Sequence, residues 1–153
     1  MPRIILAKTA GSTLIELMTV VAVIASLAAM AVPTFVTYRD KSRVTQVVGS
    51  SEAIRAALAS YAASDSQNIY PLTDTITDFG SLRLVVNAHG GMLPLSAIFS
   101  VDHYDLYDSD GDGLAETYSM RLMVNGVSNA TAGAQLLLTP EGILKCTASG
   151  NPC

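Results

Sequence analysis

The chain has 153 residues, half of them hydrophobic and 14% charged, with no tryptophan and a formal charge of −4. That length suits one domain of ordinary size and not comfortably two. The acidic balance argues against a nucleic-acid surface, which needs clustered Lys and Arg.

In chain order, the first segment is MPRIILAKTAG, residues 1–11, in which Arg3 and Lys8 flank only the short run IILA. The long apolar run comes afterwards. A secretory signal places its apolar stretch before the cleavage site and loses it on cleavage. Cleavage after Gly11 would instead leave the hydrophobic helix on the mature chain. Residues 14–32 are apolar apart from Glu16, Thr19 and Ser26, and as a helix they span about 28 Å, close to the hydrocarbon thickness of a bilayer. Arg39, Lys41 and Arg43 follow, interrupted by Asp40, and suit contact with lipid head groups. Basic residues flank the span on both sides, so the positive-inside rule does not orient it.

Gly11-Ser12-Thr13-Leu14-Ile15-Glu16-Leu17 resembles the processing motif of type IV prepilins and the related pseudopilins. Counted from Ser12, Glu16 is at the fifth position, where that family carries a glutamate. Pro33 falls at the family's helix-bending proline, and Phe35 and Tyr38 fall where aromatics are common. The match covers about the first forty residues. One departure is Ser12 itself, where the family usually has Phe or Met. The resemblance implies an α+β pilin fold, with a long N-terminal hydrophobic α-helix packed on a C-terminal antiparallel β-sheet. It divides the chain into a cleaved leader at 1–11, a helix at 12–63 with 12–33 in the membrane or filament core, and a globular domain at 64–153. It also implies cleavage after Gly11 by a prepilin peptidase and N-methylation of Ser12. The chain would sit single-pass in the inner membrane before an assembly platform moves it into an extracellular or periplasmic filament of identical copies.

Cleavage gives Glu16 a physical role. An ionisable group inside a membrane is costly and usually functional. A free amine at Ser12 stands one helical turn away, or comes from a neighbouring subunit, and offsets part of the desolvation cost. In the family this glutamate is thought to align incoming subunits. Pro33 lacks an amide hydrogen and should kink or locally open the helix. Periodicity resumes after it, so the helix is expected to continue.

Val44, Val47, Ile54, Leu58 and Tyr61 recur at spacings of three, four and seven, one apolar stripe that suits packing on a sheet. Gly49 weakens the middle of this helix, and turn signals end it near Ser64. Residues 70–100 resist assignment. SLRLVV suits a short strand or a helical turn, and AHGGMLP a loop. AIFSVDHYDLYD alternates in places. ETYSMRLMVNG alternates better, with Tyr118, Met120, Leu122 and Val124 on one side. AQLLLTPEGILKC gives a strand, a turn and a final short strand, so three or four antiparallel strands are expected.

DSDGDGLAE, residues 108–116, matches the first half of a D-x-D-x-D-G calcium loop through Asp108, Asp110, Asp112 and Gly113. The Leu114 carbonyl and Glu116 would complete an oxygen set for a hard cation. The glutamate of the twelfth loop position is replaced by Ser119, and the flanks suit strands, so this is not an EF-hand. Related secretion pseudopilins bind calcium in their C-terminal region. The alternative is a plain hairpin turn, since Asp-Gly is a strong hairpin signal. Cys146 and Cys153, the two cysteines, enclose TASGNP. Their spacing fits neither a zinc site nor C-x-x-C, and in an exported domain a disulfide is expected. His89 and His103 belong to no nucleophile or zinc constellation, so no enzyme is expected. The leading reading is a structural pilus subunit. A minor pilin, a type II secretion pseudopilin and a filament-tip adhesin are the alternatives.

Overall fold

The computed structural model describes residues 13–112, 114–128 and 131–146. It contains two helices, α1 (Leu14–Ser64) and α2 (Phe79–Ala88). Four strands follow: β1 (Phe99–Tyr107), β2 (Thr117–Val124), β3 (Gln135–Leu138) and β4 (Ile143–Cys146). The chain forms two compact units, Met1–Tyr38 and Arg39–Cys153.

The first unit is the N-terminal stretch of α1. Its side chains are exposed throughout the described part, and it is long and apolar enough to cross a membrane. Pro33 lies within α1, and the helix runs on beyond it, in keeping with the resumed periodicity.

The second unit has a closed core. Along α1 it buries Val44, Val47, Ile54, Leu58 and Ala62 on one stripe. These pack against a four-stranded antiparallel sheet of order β1-β2-β3-β4. The expected α+β architecture is therefore present. Strand β2 alternates perfectly, burying Tyr118, Met120, Leu122 and Val124. Strand β1 alternates only in places because its register shifts between Val101 and His103. A bulge there changes the phase, so Phe99 is buried before it and Tyr104 after it. Residues 139–142 make the turn between β3 and β4, as the Pro-Glu-Gly signal indicated. Arg55 of α1 holds this turn by donating Nε–H to the Thr139 carbonyl at 3.0 Å and Nη2–H to the Pro140 carbonyl at 2.6 Å.

SLRLVV proves helical, the second of its two alternatives. It forms most of α2, which starts at a capping box. The Asp78 carboxylate accepts from the Ser81 amide at 2.8 Å, while the Ser81 hydroxyl accepts from the Asp78 amide at 3.0 Å. The Ser81 amide bond, joined by the Ser81 hydroxyl on the same carboxylate oxygen at 2.9 Å, holds the Asp78 carboxyl below its ordinary value. Gly90 ends the segment at φ +84°, a backbone conformation that a side chain disfavours.

Arg39 and Asp40 open the second unit. Asp40 is buried, pairs with Arg39 at 3.0 Å, and accepts from the Ser128 amide at 3.3 Å. The Arg39 hydrogen bond outweighs burial and lowers the Asp40 pKa. Arg43 donates to the Gly126 carbonyl. The basic run is thus partly a clamp on the loop after β2, besides any contact with lipid.

Candidate functional site

The N-terminal span is a site built from one helix. Thr13 precedes it, and the Thr13 hydroxyl oxygen accepts from the Glu16 amide at 3.3 Å. Thr13-x-x-Glu16 has the spacing of a capping box, a helix-start signal present in the sequence and overlaid there by the processing motif. It places the Glu16 carboxylate in the first turn, where the helix dipole favours an anion. Glu16 is exposed on the protein itself. Gly11 and Ser12, the expected processing and methylation positions, lie outside the described residues, as does the leader at 1–11.

Four hydroxyls along the span bond to their own helix. Thr19 donates to the Glu16 carbonyl at 2.9 Å and Ser26 to the Val23 carbonyl at 2.8 Å. Thr34 donates to the Met30 carbonyl at 3.3 Å and Thr37 to the Pro33 carbonyl at 3.0 Å. The outer surface is accordingly apolar. Leu14, Leu27 and Met30 are 76%, 65% and 78% exposed, and Phe35 and Tyr38 are exposed with them. Each such side chain gains about 1.5–3 kcal/mol when fully buried, so the span calls for lipid or for other helices.

The acidic loop joins β1 to β2. Three aspartates fold it by accepting backbone N–H groups ahead of them. Asp108 Oδ1 accepts from Asp110 at 3.2 Å and Gly111 at 2.6 Å, Asp110 Oδ1 from Asp112 at 3.2 Å, and Asp112 Oδ1 from Leu114 at 2.8 Å. Gly111 takes φ +83° at the tightest point. Carboxylate oxygens of Asp108, Asp110 and Glu116 lie within 4.8 Å of one another. The Ser109 hydroxyl fixes Glu116 at 2.9 Å. Of the expected ligand set, Asp112 is not gathered into this cluster; Gly113, the turn glycine of the motif, lies outside the described residues. Leu114 follows the bend and reaches the loop through its amide.

The other candidates are dispersed. Cys146 ends β4 opposite Gln135 and is not a free thiol, while Cys153 lies outside the described residues. His89 packs against Tyr61 in a tilted arrangement with ring centroids 4.9 Å apart, and its Nδ1 meets the Val85 carbonyl at 3.0 Å. His103 pairs with Asp105 at 2.9 Å on the exposed side of β1. Among the described residues, neither histidine stands beside a nucleophile.

Comparison with known proteins points to one kind of relative. The chain is 31% identical to Fimbrial protein Q of Moraxella bovis over 145 residues, which covers 92% of this chain and 87% of that protein. No family model matches the chain, and no solved structure matches it.

Proposed function

The chain belongs to the type IV pilin family, and from that premise we propose that it is a structural subunit of a pilus, stored in the inner membrane and assembled through α1. The exposed apolar surface of residues 14–38 carries this reading, because none of the described residues covers it. Lipid covers it before assembly and neighbouring copies cover it afterwards.

Prepilin peptidase cuts after Gly11 and Ser12 becomes the methylated N-terminus. Glu16 then pairs with the amine of a neighbouring Ser12, which docks subunits in register while removing two isolated charges from an apolar core. The inner-membrane assembly platform supplies the work of extraction. The protein acts as a building block and not as an enzyme. Cys146 and Cys153 form a disulfide that closes the C-terminal segment onto β4.

The loop between β1 and β2 takes a calcium ion through Asp108, Asp110 and Glu116. Its donor set is entirely oxygen, and carboxylates that already accept N–H groups keep further acceptor positions. This cluster is the observation that favours a secretion pseudopilin as second reading. Mass spectrometry of sheared surface filaments tests the main proposal. A dominant species beginning at methylated Ser12 with oxidised Cys146 and Cys153 supports it. A chain retaining residues 1–11, or absent from filaments while abundant in the membrane, overturns the structural-subunit assignment. Calorimetry without a calcium signal at millimolar concentration removes the metal site.

A further inference from the structure

The second unit contains a notch beside strand β2. Strand β3 stops at Leu138, which pairs with Met120, so among the described residues no strand lies beside Tyr118 on that side of β2. The gap is about 280 Å³. Glu52, Arg55 and Ala59 of α1 form one wall, and Tyr70, Tyr118 and Pro140 the rest.

Tyr118 is 2% exposed, and the Arg55 guanidinium can donate to its hydroxyl oxygen, yet among the described residues no group accepts the hydroxyl's own proton. Its neighbour Tyr104 shows the contrast, since that hydroxyl donates to the Pro71 carbonyl at 2.8 Å. A buried hydroxyl left unpaired costs about 1–3 kcal/mol. Burial pushes the Tyr118 pKa far above its ordinary value, so the group stays a neutral donor and requires an acceptor. Arg55 and Glu52 stand close enough to act on it electrostatically. Two N–H groups of Arg55 are fixed on the Thr139 and Pro140 carbonyls, while Nη1 is held by Glu52 at 2.9 Å. Glu52 is 60% exposed and such a pair is weak, so it is readily displaced.

We propose that this notch binds one carboxylate group, which takes the place of Glu52 on Arg55 Nη1 and accepts the Tyr118 hydroxyl. Tyr70 and Ala59 also line the notch, whose volume leaves room for a short carbon chain behind the carboxylate. A small organic acid and an acidic side chain of a second copy of this protein offer the same chemistry.

The test uses the full chain in detergent micelles, labelled with 13C at the tyrosine ring and 15N at arginine Nε, and titrated with sodium acetate against sodium chloride at constant ionic strength. Tyr118 and Arg55 should shift together and saturate. Glu52→Ala should tighten binding by up to about fivefold, because the internal competitor is gone. Tyr118→Phe, followed at Arg55, should weaken it about tenfold or more. No saturable shift in the wild type means that water alone satisfies Tyr118, and overturns the site. Weaker binding in Glu52→Ala also overturns it, since a cation or sugar would need that carboxylate. Solid-state spectra of acetate-free filaments identify the source. A Tyr118 signal already at its bound position assigns the carboxylate to a second copy, and a free-state signal that moves on adding acetate assigns it to a soluble acid.

Discussion

Leu27 and Leu136 are the same residue in two situations. Leu27 is 65% exposed in the first unit, and Leu136 is fully buried in the second. The second unit has a core of its own: its buried apolar side chains pack on one another, and its loops are tied by Arg55, Asp40 and the Asp78–Ser81 box. In the described part of the first unit, Thr19, Ser26, Thr34 and Thr37 bond to their own helix, while the apolar surface stays exposed. One chain therefore contains a domain with its own core and an apolar helix stretch without one. Stability should be governed by one and assembly by the other.

Breaking the interface should have the largest effect. Glu16→Ala should abolish or nearly abolish filament yield at equal membrane abundance, with the thermal transition of the second unit unmoved. Shearing and quantitation of the filament fraction measure the first, and circular dichroism in micelles the second. Filaments at wild-type yield would show that Glu16 is not the docking group. A matched pair of truncations comes next. Leu136→Ala should cost about 2–5 kcal/mol in chemical denaturation, the usual penalty of a core cavity. Ile24→Ala should leave that denaturation unchanged in micelles and lower filament yield only.

Asp40 sharpens the boundary between the two units. Its folded pKa lies below the ordinary 3.8, so the charged form is the one that folding favours. That contribution is complete above the ordinary value and disappears as pH falls through the folded pKa. Asp40→Asn should therefore be less stable than wild type at pH 7, and the two denaturation curves should converge below the ordinary carboxylate range. The smallest effect should be a gain. Gly49 lies exposed within α1, and a methyl added there would meet nothing within 4 Å. Gly49→Ala should therefore stabilise the second unit by up to about 1 kcal/mol in the same denaturation assay.

The parts of this fold legible in the sequence are those whose burial follows a strict period. The stripe from Val44 to Leu58 and the alternation from Tyr118 to Val124 each face one side, and each can be read from residue spacing alone. Strand β1 is blurred in the sequence because the bulge at Asp102 shifts its phase midway. Helix α2 is ambiguous there because ten residues give a short pattern, and its decisive signal, Asp78 with Ser81, is polar and local. The acidic loop is legible as chemistry and not as geometry. Alternating aspartates suggest convergence, yet each first folds the backbone ahead of it, and only Asp108 and Asp110 meet Glu116. The Tyr118 notch is invisible in the sequence, since it arises from where β3 stops, and strand length is set by tertiary pairing.

The hydroxyls of Thr19, Ser26, Thr34 and Thr37 have a consequence for transport. Each proton is already committed to a carbonyl of the same helix, so none has to change partner when the surroundings change. Moving the span from lipid to a bundle of identical helices is then a transfer between two oils. On the proposed assembly route, the work of extraction would fall on surface contact and on the single carboxylate near the helix start. A helix of this kind is indifferent to which apolar medium holds it, which is what the proposed role, anchor first and building material afterwards, would require.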